Sequence, residues 1–324
     1  MSIASIVMPA GAGAAPRPTL AEVQRQVDAL HHEAEVSSER LNTAQVQLDA
    51  VSQRMAALQA TADRQLQVVT ALQHKLGHFA SAQYRTAGLG QTVQLIFSDS
   101  PEEMAQGLAT VDALGLHQQA QLRRVLAARQ LLANDQAAVG AQLRQAQALK
   151  STLAAERRTL NGRMAQAEVV LSQLTAGQRA QMAAQQTAQS AAARASRSTV
   201  RLPVYNGPAS GGAATAVRVA YSKLGDPYVY GAAGPSAFDC SGLTMYAWRA
   251  AGVYLPHSAS AQYGYGRHVS VSQLQPGDLV FFYSPISHVG IYIGGGRVIH
   301  APYPGRSVEI APVNEMPISG ATRL

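Results

Sequence analysis

The chain has 324 residues, 47% of them hydrophobic and 14% charged, with a formal net charge of +7. That length fits about two domains, and no apolar run is long enough to cross a bilayer as a helix. The positive balance favours polyanionic surroundings. No compact basic patch with interleaved aromatics accompanies it, which argues against nucleic acid and points to wall polymers or lipid headgroups.

Residues 1–18 read as the remnant of an export signal plus a tail. Ile3 to Met8 is a short apolar stretch, and Ala12-Gly13-Ala14-Ala15 has the small-x-small form of a signal-peptidase site. A basic leading region is missing, so the true start is expected upstream, with cleavage near Ala14. The alternative is the disordered start of a cytosolic protein. The export reading makes the mature protein secreted or wall-associated.

Residues 19–174 carry a coiled-coil pattern. Thr19-Leu20-Ala21-Glu22 opens it as a capping box. From Val23, steps of four and three reach Val27, Leu30, Ala34, Ser37, Leu41, Ala44, Leu48, Val51 and onward to Leu76 and Phe79. Such a sustained 3.5-residue period predicts a helix of roughly 100 Å built to pack on another helix. The pattern breaks near residues 85–101, where Gly88, Gly90, Ser98, Asp99 and Pro101 cluster, and Ser100-Pro101 caps a second helix. Its seam runs Val111, Leu114, Leu122, Val125, Leu132, Val139, Leu143, Ala146, Leu153, Leu160, Met164, Ala167, Leu171 and Leu174. The two seams can close on each other as an antiparallel hairpin, or between two chains as a parallel dimer. Mild loop-closure entropy favours the hairpin. The hinge segment Leu89 to Leu114 resembles that of coiled-coil regulators of bacterial wall hydrolases, although an ordinary connector accounts for the same residues. Residues 175–212 lose the seam and gain Ala, Gln, Ser, Gly and Pro, which predicts a flexible linker with helix in its first half.

Residues 213–324 change character. A short amphipathic helix from Ala213 to Leu224 ends at Gly225-Asp226-Pro227. Asp239 is placed to cap a helix from Cys240 to Ala251 that closes at Gly252. Cys240 is the only cysteine in the chain, so it has no internal disulfide partner. At a helix start the dipole favours its thiolate, while the charge of Asp239 opposes it, so a histidine partner is needed. Pro276-Gly277-Asp278 turns into a strand from Leu279 to Tyr283. Next come Ser287 to Ile293, three glycines, and Arg297 to His300, which is a hairpin pattern. A turn centred on Gly294 sets His288 and His300 directly opposite each other on one face. One histidine can take the thiol proton while the other orients it. The oxyanion is expected at the Cys240 backbone N–H, with Tyr228 as second donor. Two histidines and one thiol make a poor zinc site, so neither a metal nor any other cofactor is expected. Asp239 is read as a cap first and as a grip on a substrate ammonium group second.

Tyr228 to Gly242 (YVYGAAGPSAFDCSG), Leu255 to Gln262, Pro276 to Phe282 and His288 to Tyr292 together resemble the NlpC-type cell-wall peptidases. The resemblance implies an α+β papain-like cysteine peptidase domain, here preceded by a long all-α coiled-coil hairpin. It implies Cys240 as nucleophile, His288 as base, His300 as third polar member, and Tyr228, Asp239 and Ser241 around the oxyanion and substrate. It further implies peptidoglycan stem peptides as substrate, cut between D-Glu and the following diamino acid. Tyr230 stands where the family commonly has tryptophan. His257 receives no catalytic role. The rival readings are an idle hydrolase domain carried by a coiled-coil scaffold, and a wall amidase of related fold. The hairpin is also a candidate regulator, folding back over the Cys240 cleft until a membrane partner bends it near residues 85–101. Whether it instead dimerises is left open.

Overall fold

In the computed structural model, residues 19–85, 101–199 and 211–324 are described. The expected export signal, most of the hinge with its resemblance, and residues 200–210 of the expected linker lie outside them. Six α-helices are defined there: α1 (Leu20–Arg85), α2 (Pro101–Ser172), α3 (Ala176–Thr199), α4 (Gly211–Ser222), α5 (Cys240–Arg249) and α6 (Ala259–Tyr263). The chain divides into one unit of residues 47–150 and a second made of residues 1–46 and 151–324.

The first unit is a helix pair. Val51, Ala62 and Val69 of α1 and Val125, Ala128 and Ala146 of α2 are buried, and Gln65 donates to the Ala128 carbonyl at 3.1 Å. Within the second unit the same two helices run antiparallel, since Arg163 meets Glu33 at 2.8 Å and Arg40 meets Glu156 at 3.8 Å. The α1 start is fixed by its capping box, with Thr19 N–H donating to Glu22 at 2.7 Å and Glu22 N–H to Thr19 Oγ1 at 3.3 Å. The α2 seam is narrower than expected. Val125, Ala146, Leu160 and Ala167 fall in one heptad column and are buried, whereas Leu122, Leu143 and Met164 are 49%, 48% and 39% exposed. Those three share the neighbouring column, which a lone partner helix covers only in part.

In the second unit α1 is also held from another side. Val23, Val27 and Leu174 form a cluster joined by Leu20, Val170, Leu171 and Met182 of α3. The stretch expected as a tether is therefore helical through Thr199. A second capping box opens it, with Thr175 N–H donating to Gln178 at 2.9 Å and Gln178 N–H to Thr175 Oγ1 at 3.2 Å. Toward its end, Arg194 donates to the Gly225 carbonyl at 3.1 Å, Arg197 pairs with Asp226 at 2.8 Å, and Ser190 meets Ser307 at 2.8 Å.

The C-terminal part is an α+β layer structure. Six antiparallel strands, β1 (Arg267–Val269), β2 (Leu279–Phe282), β3 (His288–Gly294), β4 (Arg297–His300), β5 (Glu309–Pro312) and β6 (Ile318–Arg323), form one sheet in the order β1-β6-β2-β3-β4-β5. Alternation sorts their side chains into two cores. Leu279, Phe281, Val289, Ile291 and Ile299 pack with α4 and α5, while Val280, Phe282, Val298, Ala311 and Ala321 form the core of the other face. On α4, Ala213, Ala216, Val217, Ala220 and Tyr221 are buried, the spacing of one helix face.

Candidate active site

The start of α5 is set by Asp239. Its backbone is extended and its carboxylate accepts from Gly242 N–H at 2.6 Å, a side-chain N-cap as the sequence predicts. Gly242 is required by space: a Cβ there would lie 2.2 Å from the Ala232 carbonyl oxygen. The first turn of α5 therefore presses against the preceding loop, and Cys240 sits in it with no exposed surface. Its thiol is pushed well above the usual range by burial first, then by the charges of Glu39, Glu35 and Asp239; a hydrogen bond from the Val289 backbone acts the other way.

His288 and His300 come together, but not by the expected register. Ile291 faces Ile299 and Tyr292 faces Val298, so the turn is centred beyond Gly294 and Gly290 lies level with His300. His288 is thus the diagonal neighbour of His300, one step of two residues away on the same face and within side-chain reach. His288 Nε2 lies 2.8 Å from His300 Nδ1. Burial holds His300 well below the ordinary imidazole range, helped by the nearby charges of His288 and Arg306, so it is neutral. With His288 Nε2–H donating to His300 Nδ1, the His300 proton sits on Nε2, 3.8 Å from Glu309 Oε1. That assignment leaves His288 Nδ1 as the nitrogen on the Cys240 side. A ring nitrogen of His288, Cys240 Sγ and a carboxylate oxygen of Glu35 all lie within 4.8 Å of one another.

Asp239 does more than cap. Its carboxylate accepts from Gly231 N–H at 3.0 Å and from His257 Nε2 at 2.8 and 2.9 Å. His257, given no role by the sequence, is thereby the ionic partner of the residue before Cys240. Thr244 and Gln262 bond at 2.6 Å, and Gln262 Nε2 donates to the Ser241 carbonyl at 2.9 Å, bracing the same turn. The Tyr228 ring is buried, packs edge-on to Tyr230 at 5.2 Å, and its phenol is pushed well up by burial, then by Glu35, Cys240 and Asp239. Ser241 Oγ points at a carboxylate, that of Glu39, at 2.5 Å.

Glu39 belongs to α1, and with it four residues of that helix enter the site. Glu35 Oε1 meets His288 Nδ1 at 2.5 Å. Glu39 Oε1 accepts from Ser241 Oγ and from Cys240 Sγ–H at 3.5 Å, and its Oε2 accepts from Ala259 N–H at 2.7 Å. Asn42 Nδ2 donates to Asp239 at 3.1 Å, and Thr43 Oγ1 meets Ser258 Oγ at 2.7 Å. Glu35, Cys240 and His288 resemble a metal-ligand set. However, two ligands on one tetrahedral zinc sit about 3.3 Å apart given ~2.0 Å bonds, and the 2.5 Å contact between Glu35 and His288 is a direct hydrogen bond instead.

Residues 225–322 match the family model described as NlpC/P60. A probable endopeptidase of Mycobacterium tuberculosis is 45% identical over 124 residues, which are 38% of this chain and 32% of that protein. The probable endopeptidase p60 of Listeria grayi is 51% identical over 92 residues, 28% of this chain and 18% of that one. The chain thus spans about a third or less of the length of these two relatives. Among solved structures, the NlpC/p60 domain of the peptidoglycan hydrolase SagA is 41% identical, covers 35% of this chain and 98% of that chain, and has a TM-score of 0.33. The motifs around Cys240, His257, Asp278 and His288 all fall inside the matched span, and the C-terminal α+β part of the chain is an NlpC/P60 domain.

Proposed function

We propose that the protein is a cysteine endopeptidase of bacterial peptidoglycan, hydrolysing the stem-peptide amide between D-Glu and the next diamino acid. The observation that carries this reading is the line from Cys240 at the start of α5, to a ring nitrogen of His288 within 4.8 Å, and on to His300 through a 2.8 Å bond. In the reaction His288 Nδ1 takes the Cys240 proton as Sγ attacks the amide carbon. The tetrahedral oxyanion is held by the Cys240 backbone N–H, with Tyr228 as second donor. The C–N bond then breaks, and the amine leaves with the proton from His288. Water attacks the thioester, gives its proton to His288, and the acid departs as the thiol is restored. His300, kept neutral by burial, holds the His288 ring and tautomer. Asp239, tied to His257, fixes the nucleophile turn and presents a carboxylate to a substrate ammonium group.

The reading includes export to the cell wall, where a net charge of +7 suits an anionic polymer. Among the described residues no helix is long and apolar enough to cross a membrane. Mass spectrometry of fragments released from purified wall tests the proposal. Cut stem peptides are expected from the full chain and none from Cys240→Ala, whereas undiminished release by that variant refutes it. Intact stems in place of cut ones would indicate an amidase. His288→Ala should lose roughly 10²–10⁴-fold as a general base does, and His300→Ala less, because it acts through another ring.

A further inference from the structure

We infer that the stretch of α1 from Glu35 to Thr43 is a built-in inhibitor, occupying the Cys240 cleft in place of substrate with Glu35 on the base and Glu39 on the nucleophile. The inference takes Cys240 and His288 to be the catalytic pair proposed above. Glu35, Glu39, Asn42 and Thr43 are spaced as one helix face, and each bonds a group of the cleft. Under them Cys240 is 0% and His288 1% exposed, so no acyl group reaches either.

The contact is specific rather than general packing. Burying a carboxylate is costly unless its oxygens are satisfied. Beside a long 3.4 Å bond from Asn42 to Glu39 and the His32 ring 3.9 Å from Glu35, both within α1, the shorter satisfying bonds come from the cleft: Ser241 Oγ and Ala259 N–H for Glu39, with the Cys240 thiol at 3.5 Å, and the His288 imidazole for Glu35. The chemistry is stopped twice. Whichever of Glu35 and His288 holds the shared proton, Nδ1 cannot accept another from the thiol. The two added carboxylates also favour thiol over thiolate at Cys240. Around this face, Tyr230 Oη donates to the His31 carbonyl at 3.2 Å and the His32 ring lies 4.3 Å from that of Tyr283. The seam of the same helix is held by Leu174 and by the Arg163–Glu33 pair. Removing α1 would open the cleft without altering any residue of the sheet domain.

Because Cys240 is the sole cysteine, its alkylation by iodoacetamide is read directly from the intact mass of the full chain. At neutral pH, Glu35→Ala combined with Glu39→Ala is expected to react roughly tenfold faster or more than wild type, as a thiol freed from burial and carboxylates does. Equal rates in two chains with the same cooperative circular-dichroism melt overturn the inference. If the double variant lacks a cooperative melt, Asn42→Ala with Thr43→Ala decides by the same criterion, with a smaller acceleration expected. Wall digestion separates the two readings. A variant that alkylates faster yet releases nothing from wall sinks the hydrolase and leaves the inhibitory contact standing. Equal alkylation with equal release of cut stems sinks the contact and keeps the hydrolase.

Discussion

Glu39 carries a carboxyl that burial pushes up to about 7, with the charge of Asp239 adding to the rise and bonds from Ser241 and Ala259 opposing it. Free of the cleft it returns to the ordinary carboxylate range. Between roughly pH 4.5 and 7 the docked helix therefore holds more protons than the undocked one, so docking weakens as pH climbs through that window and levels off above it. Asp239 and His257 face Glu39 across the contact, with Glu35 one turn earlier on its own helix. For His257 burial acts downward, but the bond and charge of Asp239 and the charge of Glu39 together raise it. The ratio of wild-type to Glu39→Gln alkylation rates cancels the thiol's own titration. That ratio should rise between mildly acidic and mildly alkaline pH; a flat ratio removes Glu39 as the titrating group. Asp239→Ala should cost more than about 2 kcal/mol, read as a drop in melting temperature, since it deletes an N-cap and strands His257. Cys240, its cap and the two histidines were legible because each depends on neighbours or on a single turn. Glu35 and Glu39 were not: beside a heptad seam they look like any solvated polar position, and what buries them lies some 200 residues away.

Helices and strands show the same division between local and distant causes. The α5 helix was read from Asp239 and Gly252, and its N-cap bond is present at 2.6 Å. The hairpin was foreseen, but its register depends on which of three successive glycines, all at positive φ, carries the turn. Spacing alone does not choose among them, though any shift by two residues keeps both histidines on one face. Helix is expected in the first half of 175–212, and α3 runs somewhat further: Thr175 and Gln178 repeat the box formed by Thr19 and Glu22, while the want of an apolar seam argues for a tether. Its hold is polar, through Arg194, Arg197 and Ser190 rather than through a stripe of leucines. At the element scale the tightest packing constraint is Gly242, where the nucleophile helix meets the loop before it. Gly242→Ala should destabilise by about 2–4 kcal/mol through overpacking, measured as a lowered melting temperature. An unchanged melt would mean that the Ala232 loop yields.

For the molecule as a whole, a single thiol sealed beneath its own chain also bears on how the protein resists oxidants. Oxidants attack thiolates that solvent can reach, and the first product, a sulfenic acid, leads to irreversible acids. A protonated Cys240 with no exposed surface presents neither feature. With no second cysteine in the chain, no internal disulfide could rescue the residue once it was oxidised. Peptide mapping after peroxide treatment should find Cys240 spared in the wild-type chain and oxidised in the Glu35→Ala, Glu39→Ala chain. Equal damage in both would remove the shelter. A helix that seals the thiol from peptide would then also store it, so that Cys240 ages only from the moment the cleft is opened.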